Sequence, residues 1–310
     1  MAADDTFTSV LVPVLTPFGD DLAPDPKRFV DQCQRLLAEG AAGLAVFGTT
    51  SEANSMAADE RMRLLDALLD AGVAPDRLMP GTGACSITEA IRVNRHAVER
   101  GCRGVLMLPP FYYKGMSEDG LFAFFARVIE GVGSDRFRVY LYHIPPVAQV
   151  AFSLSLIGRL IEAFPNTVVG LKDSSGQWES TLAILTEFPD FAVFPGAETF
   201  LLKAMQHGAA GCISATANVN LPAIKRIYDG WREPGAEELQ AKATEYRAVV
   251  QGFPVVPALK AIVAHRLGDP AWAQVRPPMA DLPAAQARKL IDLLAEKGFE
   301  SARRATAAAE

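Results

Sequence analysis

Cysteine and histidine are scarce in this chain, with four of each among 310 residues. Cys33, Cys85, Cys102 and Cys212 are scattered without a Cys-x-x-Cys spacing, so neither a disulfide framework nor a zinc site is expected, and the thiols read as free and buried. His96, His207 and His265 fall on expected helices without ligand-like grouping, which implies no metal. No apolar run approaches the length that crosses a bilayer. The start, Met1-Ala2-Ala3-Asp4-Asp5, lacks the basic region and apolar stretch of a secretory signal, and the expected location is cytoplasmic. A basic excess is missing as well: 30 Lys and Arg against 36 Asp and Glu leave a formal charge of -6, with no footprint for nucleic acid.

What is present is a hydrophobic content of 50% with 21% charged residues, the balance of a well-packed globular chain. Eight apolar, strand-like runs fall near Val10–Thr16, Gly43–Gly48, Arg77–Gly81, Gly104–Leu108, Arg138–Ile144, Val168–Lys172, Ala192–Pro195 and Gly211–Ser214. Helix-period stretches separate them, at Lys27–Ala38, Ala58–Ala71, Ile87–Glu99, Glu118–Ile129, Ser155–Ala163, Ser180–Thr186 and Thr199–Gln206, many opened by Ser, Asp or Thr and closed by Gly or Pro. Near-continuous apolar strands each followed by a helix predict a parallel sheet, and eight such units predict closure as a (β/α)8 TIM barrel. An open doubly wound sheet is the alternative, and the lack of a GxGxxG turn after the first run argues against its dinucleotide-binding form. Past Val219 the strands stop. Leu221–Gly230 completes the barrel, and Glu237–Val250, Val256–Arg266 and Ala284–Lys297 predict a helical C-terminal extension. The expected organisation is a barrel over 1–230, the extension over 231–300 and a disordered Ala-rich tail over 301–310.

Lys172 draws the chemistry together. It ends the sixth run, in Val168-Val169-Gly170-Leu171-Lys172-Asp173, and in a barrel that places it at the C-terminal mouth where catalytic residues gather. A lone strand-end lysine is more often a solvated edge residue, so the case rests on its companions. An amine among apolar neighbours loses the solvation of its charged form and can attack a carbonyl as a neutral nucleophile. Around the same mouth lie Gly48-Thr49-Thr50-Ser51-Glu52, a turn suited to cradling a carboxylate or to capping the next helix, and Pro110-Phe111-Tyr112-Tyr113-Lys114. Leu141-Tyr142-His143-Ile144-Pro145-Pro146, Gly196-Ala197-Glu198 and Ile213-Ser214-Ala215-Thr216 complete the ring of loops. Tyr142 can move protons, whereas His143 has the opposite strand parity and reads as a structural histidine facing the helices.

The strand-six lysine, the GTTSE turn, the tyrosine of Tyr142-His143-Ile144-Pro145-Pro146 and Gly211-Cys212-Ile213-Ser214 occur in the order and on the strands of one known family. The chain resembles the dihydrodipicolinate synthase / N-acetylneuraminate lyase family from about Val10 to about Leu221, with weaker agreement through Arg276-Pro277-Pro278. That resemblance implies a class I, pyruvate-dependent aldolase or a related lyase or dehydratase, needing no external cofactor and assembling as a homotetramer, a dimer of dimers. It implies Lys172 as the Schiff-base lysine, Tyr142 as the proton relay over the imine, and Thr49 and Thr50 as binders of the carboxylate. Thr49 would also link Tyr142 to a second tyrosine from a neighbouring subunit, best matched by Tyr112 between Phe111 and Tyr113. Ile213 would offer its backbone carbonyl near the reacting carbon, with Ser214 beside it, and Glu198 is a candidate for the hydroxyls of a longer substrate or else an exposed helix-start residue. The partners implied are a 2-oxo acid, pyruvate, and an aldehyde.

One position departs. Where dihydrodipicolinate synthases carry an arginine for the carboxylate of the aldehyde, this chain has Val147, which cannot pair a carboxylate. The expectation therefore turns towards the sialic-acid and sugar-acid branch: a lyase that cleaves or condenses a hydroxylated 2-oxo acid. The alternatives are 4-hydroxy-tetrahydrodipicolinate synthase proper and a 2-oxo-3-deoxy sugar acid dehydratase, and outside enzymes a 2-oxo-acid binding or sensor protein. A barrel for phosphorylated substrates is disfavoured, because Glu198 stands where the anion would bind.

Overall fold

The computed structural model describes residues 6–299; the expectations for the acidic start and for 301–310 lie outside the described residues. Strands alternate with helices along the chain: β1 (Ser9–Val12), β2 (Gly43–Leu44), β3 (Val105–Met107), β4 (Val139–His143), β5 (Val168–Asp173), β6 (Ala192–Pro195) and β7 (Gly211–Ile213). All pair in parallel, as β2-β1-β7 and as β3-β4-β5-β6. Backbone bonds close both gaps. Between β2 and β3, residues 78–82 form the eighth stave: Met79 N–H donates to Leu44 O at 2.9 Å and Gly81 N–H to Val46 O at 2.7 Å. On its other side Leu106 N–H donates to Pro80 O at 2.9 Å and Thr82 N–H to Leu106 O at 3.0 Å. Pro80 has no N–H to give, which interrupts the ladder at the stave expected over Arg77–Gly81. Between β6 and β7, Ala210 N–H donates to Val193 O at 2.9 Å. The chain is thus a closed (β/α)8 barrel rather than an open sheet.

Side chains serve two layers. Every residue of β4 and β5 is buried, as strands covered on both faces require. One set fills the bore, with Leu11, Met79, Leu106, Tyr140, Phe194 and Ile213 among it; the other packs under the helices. Tyr140 plugs the floor: its hydroxyl accepts from Phe7 N–H at 2.8 Å, and its ring is flanked by Gly104 and Gly170. A Cβ at those two glycines would come within 2.8 Å and 2.4 Å of ring carbons, so the approach is open to glycine alone. The outer helices start where the sequence places their caps: Asp25, Ser86, Ser117 and Ser153 accept from the N–H groups of Arg28, Glu89, Gly120 and Leu156, each contributing about 1 kcal/mol.

The last barrel helix, Ala217–Asp229, begins earlier than its expected start at Leu221 and is broken at Asn220. Pro222 cannot donate to Asn218 O, and Arg35 Nη2 serves that carbonyl instead at 3.3 Å. Helices Ala236–Gln251, Val255–Leu267 and Ala284–Glu296 follow and build a core of their own around Tyr246, Leu259, Ile262, Trp272, Leu290 and Leu294, sealed against Leu15 and Val219 of the barrel. Among the described residues, no single helix is long and apolar enough to cross a membrane, and no group of His, Cys, Asp or Glu stands in metal-ligating array. All four cysteines are free. Cys33, Cys102 and Cys212 are buried, and burial pushes the Cys102 thiol up to about 12. Cys85, expected to be buried with them, is exposed because it lies in the loop ahead of helix Ile87–Glu99.

Candidate active site

The site begins with a defect in the sheet. Val139 pairs with Val168 but Tyr140 pairs with Gly170, so β5 carries one extra residue at Val169. Such a bulge resets the in-out alternation of everything after it. Beyond it the register is Tyr142 opposite Lys172 and Lys172 opposite Phe194, and all three side chains enter the bore. Lys172 Nζ donates to Tyr142 Oη at 3.3 Å and lies 4.4 Å from the centre of the tyrosine ring. Tyr142 Oη in turn shares a 3.3 Å hydrogen bond with Thr49 Oγ1. Lys172 is 4% exposed and Tyr142 3%. Among the described residues no carboxylate forms an ion pair with Lys172: its neighbour Asp173 points outward, accepting from Thr181 Oγ1 at 2.7 Å and Ser175 N–H at 2.8 Å.

The turn after β2 is pinned from beneath. Ser51, fully buried, donates to Val14 O, its carbonyl accepts from Thr16 Oγ1 at 2.8 Å, and its Oγ accepts from Gly48 N–H at 3.3 Å. Thr49 is left half-buried and Thr50 8% exposed at the mouth. A small recess opens beside them, lined by Thr49, Asn54, Arg61, Leu108 and Tyr142 among others. Arg61 and Asn54 were not singled out from sequence, where a helix-borne arginine resembles any surface cation. Arg61 is nearly buried, donates to Gly81 O at 3.5 Å, and has its pKa lowered by that burial.

The structure keeps several other expected residues apart from this cluster. Tyr112 is 73% exposed in a loop, edge-on to the equally solvated Tyr113 at 5.2 Å, and neither touches Thr49 or Tyr142 within the chain. Lys114 ties that loop to the mouth by donating to Ala148 O at 2.8 Å; Val147, 61% exposed, sits in the adjoining short helix Pro145–Ala148. Ile213 ends β7 with its side chain in the bore. By alternation Ser214 then faces away from the bore, and Glu198 bonds to it there, so that the expectation of an exposed helix-start residue at Glu198 is corrected. Glu198 is fully buried behind the wall, where it accepts from Ser214 Oγ, Thr216 Oγ1 and, at 2.9 Å, Arg247 Nη1. His143 also faces outward: its Nδ1 accepts from Phe152 N–H at 3.1 Å.

A closed (β/α)8 barrel whose strand ends bring a buried lysine amine under a tyrosine hydroxyl defines the lyases of the class I aldolase type. Residues 6–297 match the Dihydrodipicolinate synthetase family. The chain is 31% identical over 296 residues to 4-hydroxy-tetrahydrodipicolinate synthase of Symbiobacterium thermophilum, covering 94% of this chain and 99% of that protein. The crystal structure of dihydrodipicolinate synthase from Agrobacterium tumefaciens superposes with a TM-score of 0.87 at 33% identity, over 93% of this chain and 99% of the other. N-acetylneuraminate lyase from Fusobacterium nucleatum shares the fold at a TM-score of 0.83 and 22% identity, over 94% and 98% of the two chains. The protein belongs to the dihydrodipicolinate synthetase family and is a lyase of that family.

Proposed function

We propose that this protein cleaves or forms a carbon–carbon bond in a hydroxylated 2-oxo acid through an imine on Lys172, with pyruvate as the common fragment. The observation that carries this is the unbroken chain Lys172 Nζ, Tyr142 Oη, Thr49 Oγ1, each step 3.3 Å. The neutral amine adds to the ketone, the Tyr142 hydroxyl gives its proton to the departing oxygen and water leaves, so that a protonated imine and a Tyr142 phenolate remain. When the bond beyond the adjacent carbon breaks, its electron pair passes into that imine to give an enamine, and the hydroxyl of the departing aldehyde gives its proton to Tyr142. Protonation of the enamine and hydrolysis return pyruvate and the free amine. The N–H groups and hydroxyls of the Thr49–Thr50 turn hold the substrate carboxylate, converting binding into proximity. No external cofactor enters this scheme.

The same reading includes a cytoplasmic protein, a barrel over 1–230 with the extension over 231–300, and a homotetramer in which a second copy brings Tyr112 to Thr49. The solvated Tyr112 and Tyr113 rings support that last part. A second reading, 4-hydroxy-tetrahydrodipicolinate synthase proper, is favoured by the names of the relatives and opposed by Val147, whose isopropyl group offers a carboxylate nothing.

Borohydride trapping with pyruvate, followed by intact mass and peptide mapping, tests the imine. The expected result is one pyruvate adduct on the peptide holding Lys172, absent from Lys172→Ala. A folded wild-type protein that takes no adduct overturns the mechanism. A panel of hydroxylated 2-oxo acids, read for pyruvate release against water elimination, then separates aldolase from dehydratase.

A further inference from the structure

The turn that carries Thr49 and Thr50 is shaped by residues from the far end of the chain. Glu52 sits in the left-handed region at φ 59°, ψ 32°, a conformation that a glutamate keeps only where its surroundings over-determine it. Its N–H donates to Thr49 O at 3.1 Å, so the backbone at 52 bears directly on that at 49. Both oxygens of its buried carboxylate are held by the C-terminal extension: Oε1 pairs with Lys260 Nζ, and Oε2 accepts from the backbone N–H of Arg276 at 2.8 Å.

Lys260 belongs to helix Val255–Leu267 and its side chain is fully buried. Its ammonium also donates to Gln274 O at 2.7 Å and lies 4.4 Å from the Phe18 ring. The Arg276 guanidinium is 4.9 Å from the same ring and clasps Glu60 and Ser55 O at 2.8 Å. Burial lowers the lysine's pKa while Glu52 opposes that shift. A buried ion pair gains little over an apolar pair in stability, but it fixes where its two partners sit.

We propose that Lys260 is a positioning residue of the active site: through Glu52 it holds the Thr49–Thr50 turn in the shape that receives the substrate carboxylate. The extension, and not the barrel alone, then sets affinity for the 2-oxo acid. This rests on the lyase function proposed above.

The test uses the full chain and the double variant Glu52→Gln/Lys260→Met, which removes both charges and strands neither. Half-saturating pyruvate in borohydride trapping is expected to rise about tenfold while trapping at saturation is kept. Amide hydrogen exchange over residues 44–58 is expected to quicken about tenfold, with β4 and β5 as protected as in wild type. Glu52→Asp, one methylene shorter and still charged, is expected to shift both in the same direction by less, and decides the matter if the double variant does not fold. A pair with only a stabilising role would lower the melting temperature and leave half-saturation and local exchange untouched; that result overturns the proposal. If wild type itself traps no pyruvate, the lyase function is lost, while the exchange comparison still decides whether Lys260 holds the turn.

Discussion

Tyr142 and His143 are neighbours in one strand and live in different solvents. Alternation sends the tyrosine into the bore with Lys172 and the histidine out under the helices, against Phe152 and opposite Asp173. Burial lowers the His143 pKa below its ordinary 6.5, partly opposed by Asp173, and the bond from Phe152 N–H to Nδ1 leaves the ring proton on Nε2. A depressed folded-state pKa on a base has a definite sign: below pH 6.5 the unfolded chain takes up a proton that the folded ring refuses, so stability falls as pH drops through that window. The contribution is at most one proton, about 1.4 kcal/mol per pH unit. Chemical denaturation of wild type and His143→Asn between pH 7 and 5 is expected to show the wild type losing stability more steeply, because the amide oxygen can accept from Phe152 N–H without titrating. Equal slopes would mean that His143 does not titrate on unfolding in this window. The separation of the two residues was readable from strand parity, since β4 runs without a defect from Tyr140 to His143.

At the scale of elements, the apolar runs were legible because parallel strands buried on both faces have no polar residues to interrupt them. What the sequence could not show is the bulge at Val169, beside which Gly170 packs against the Tyr140 ring and which no pattern of apolar residues marks. Nor could it show the Pro145–Ala148 turn of helix, too short for a period, or the fate of Glu198. A glutamate after a strand reads the same whether it faces the mouth or the wall; only Arg247, 49 residues away, decides it. The Glu198 cluster therefore has a structural assignment that a substitution can check. Glu198→Ala leaves the Arg247 guanidinium buried without its counter-charge, at a cost of about 3–5 kcal/mol. Denaturant titration should record that loss, while the fraction that folds at low temperature is expected to keep the wild-type half-saturation for pyruvate. A large rise in half-saturation at unchanged stability would return Glu198 to the substrate.

At the scale of the whole molecule, one chain supplies the lysine, the first tyrosine and the carboxylate turn, whereas Tyr112 and Tyr113 stand in solvent, away from Thr49. If a second copy brings Tyr112 across a two-fold interface, lysine and second tyrosine of each site belong to different chains, and defects in them should complement. In a hybrid dimer of Lys172→Ala and Tyr112→Phe subunits, one site has lost both groups and the other has both. Random mixing in equal amounts puts half the dimers in hybrid form by isologous symmetry, so about a quarter of the wild-type sites are restored. The measurement is aldol cleavage by refolded mixtures against each parent alone. Recovery to about that fraction assigns Tyr112 to its neighbour's site. Activity no higher than the mean of the parents would place the second tyrosine in the same chain or remove it from the reaction. The same mixture with Tyr113→Phe in place of Tyr112→Phe tells which of the two rings, similarly exposed and edge-on to each other at 5.2 Å, makes the crossing.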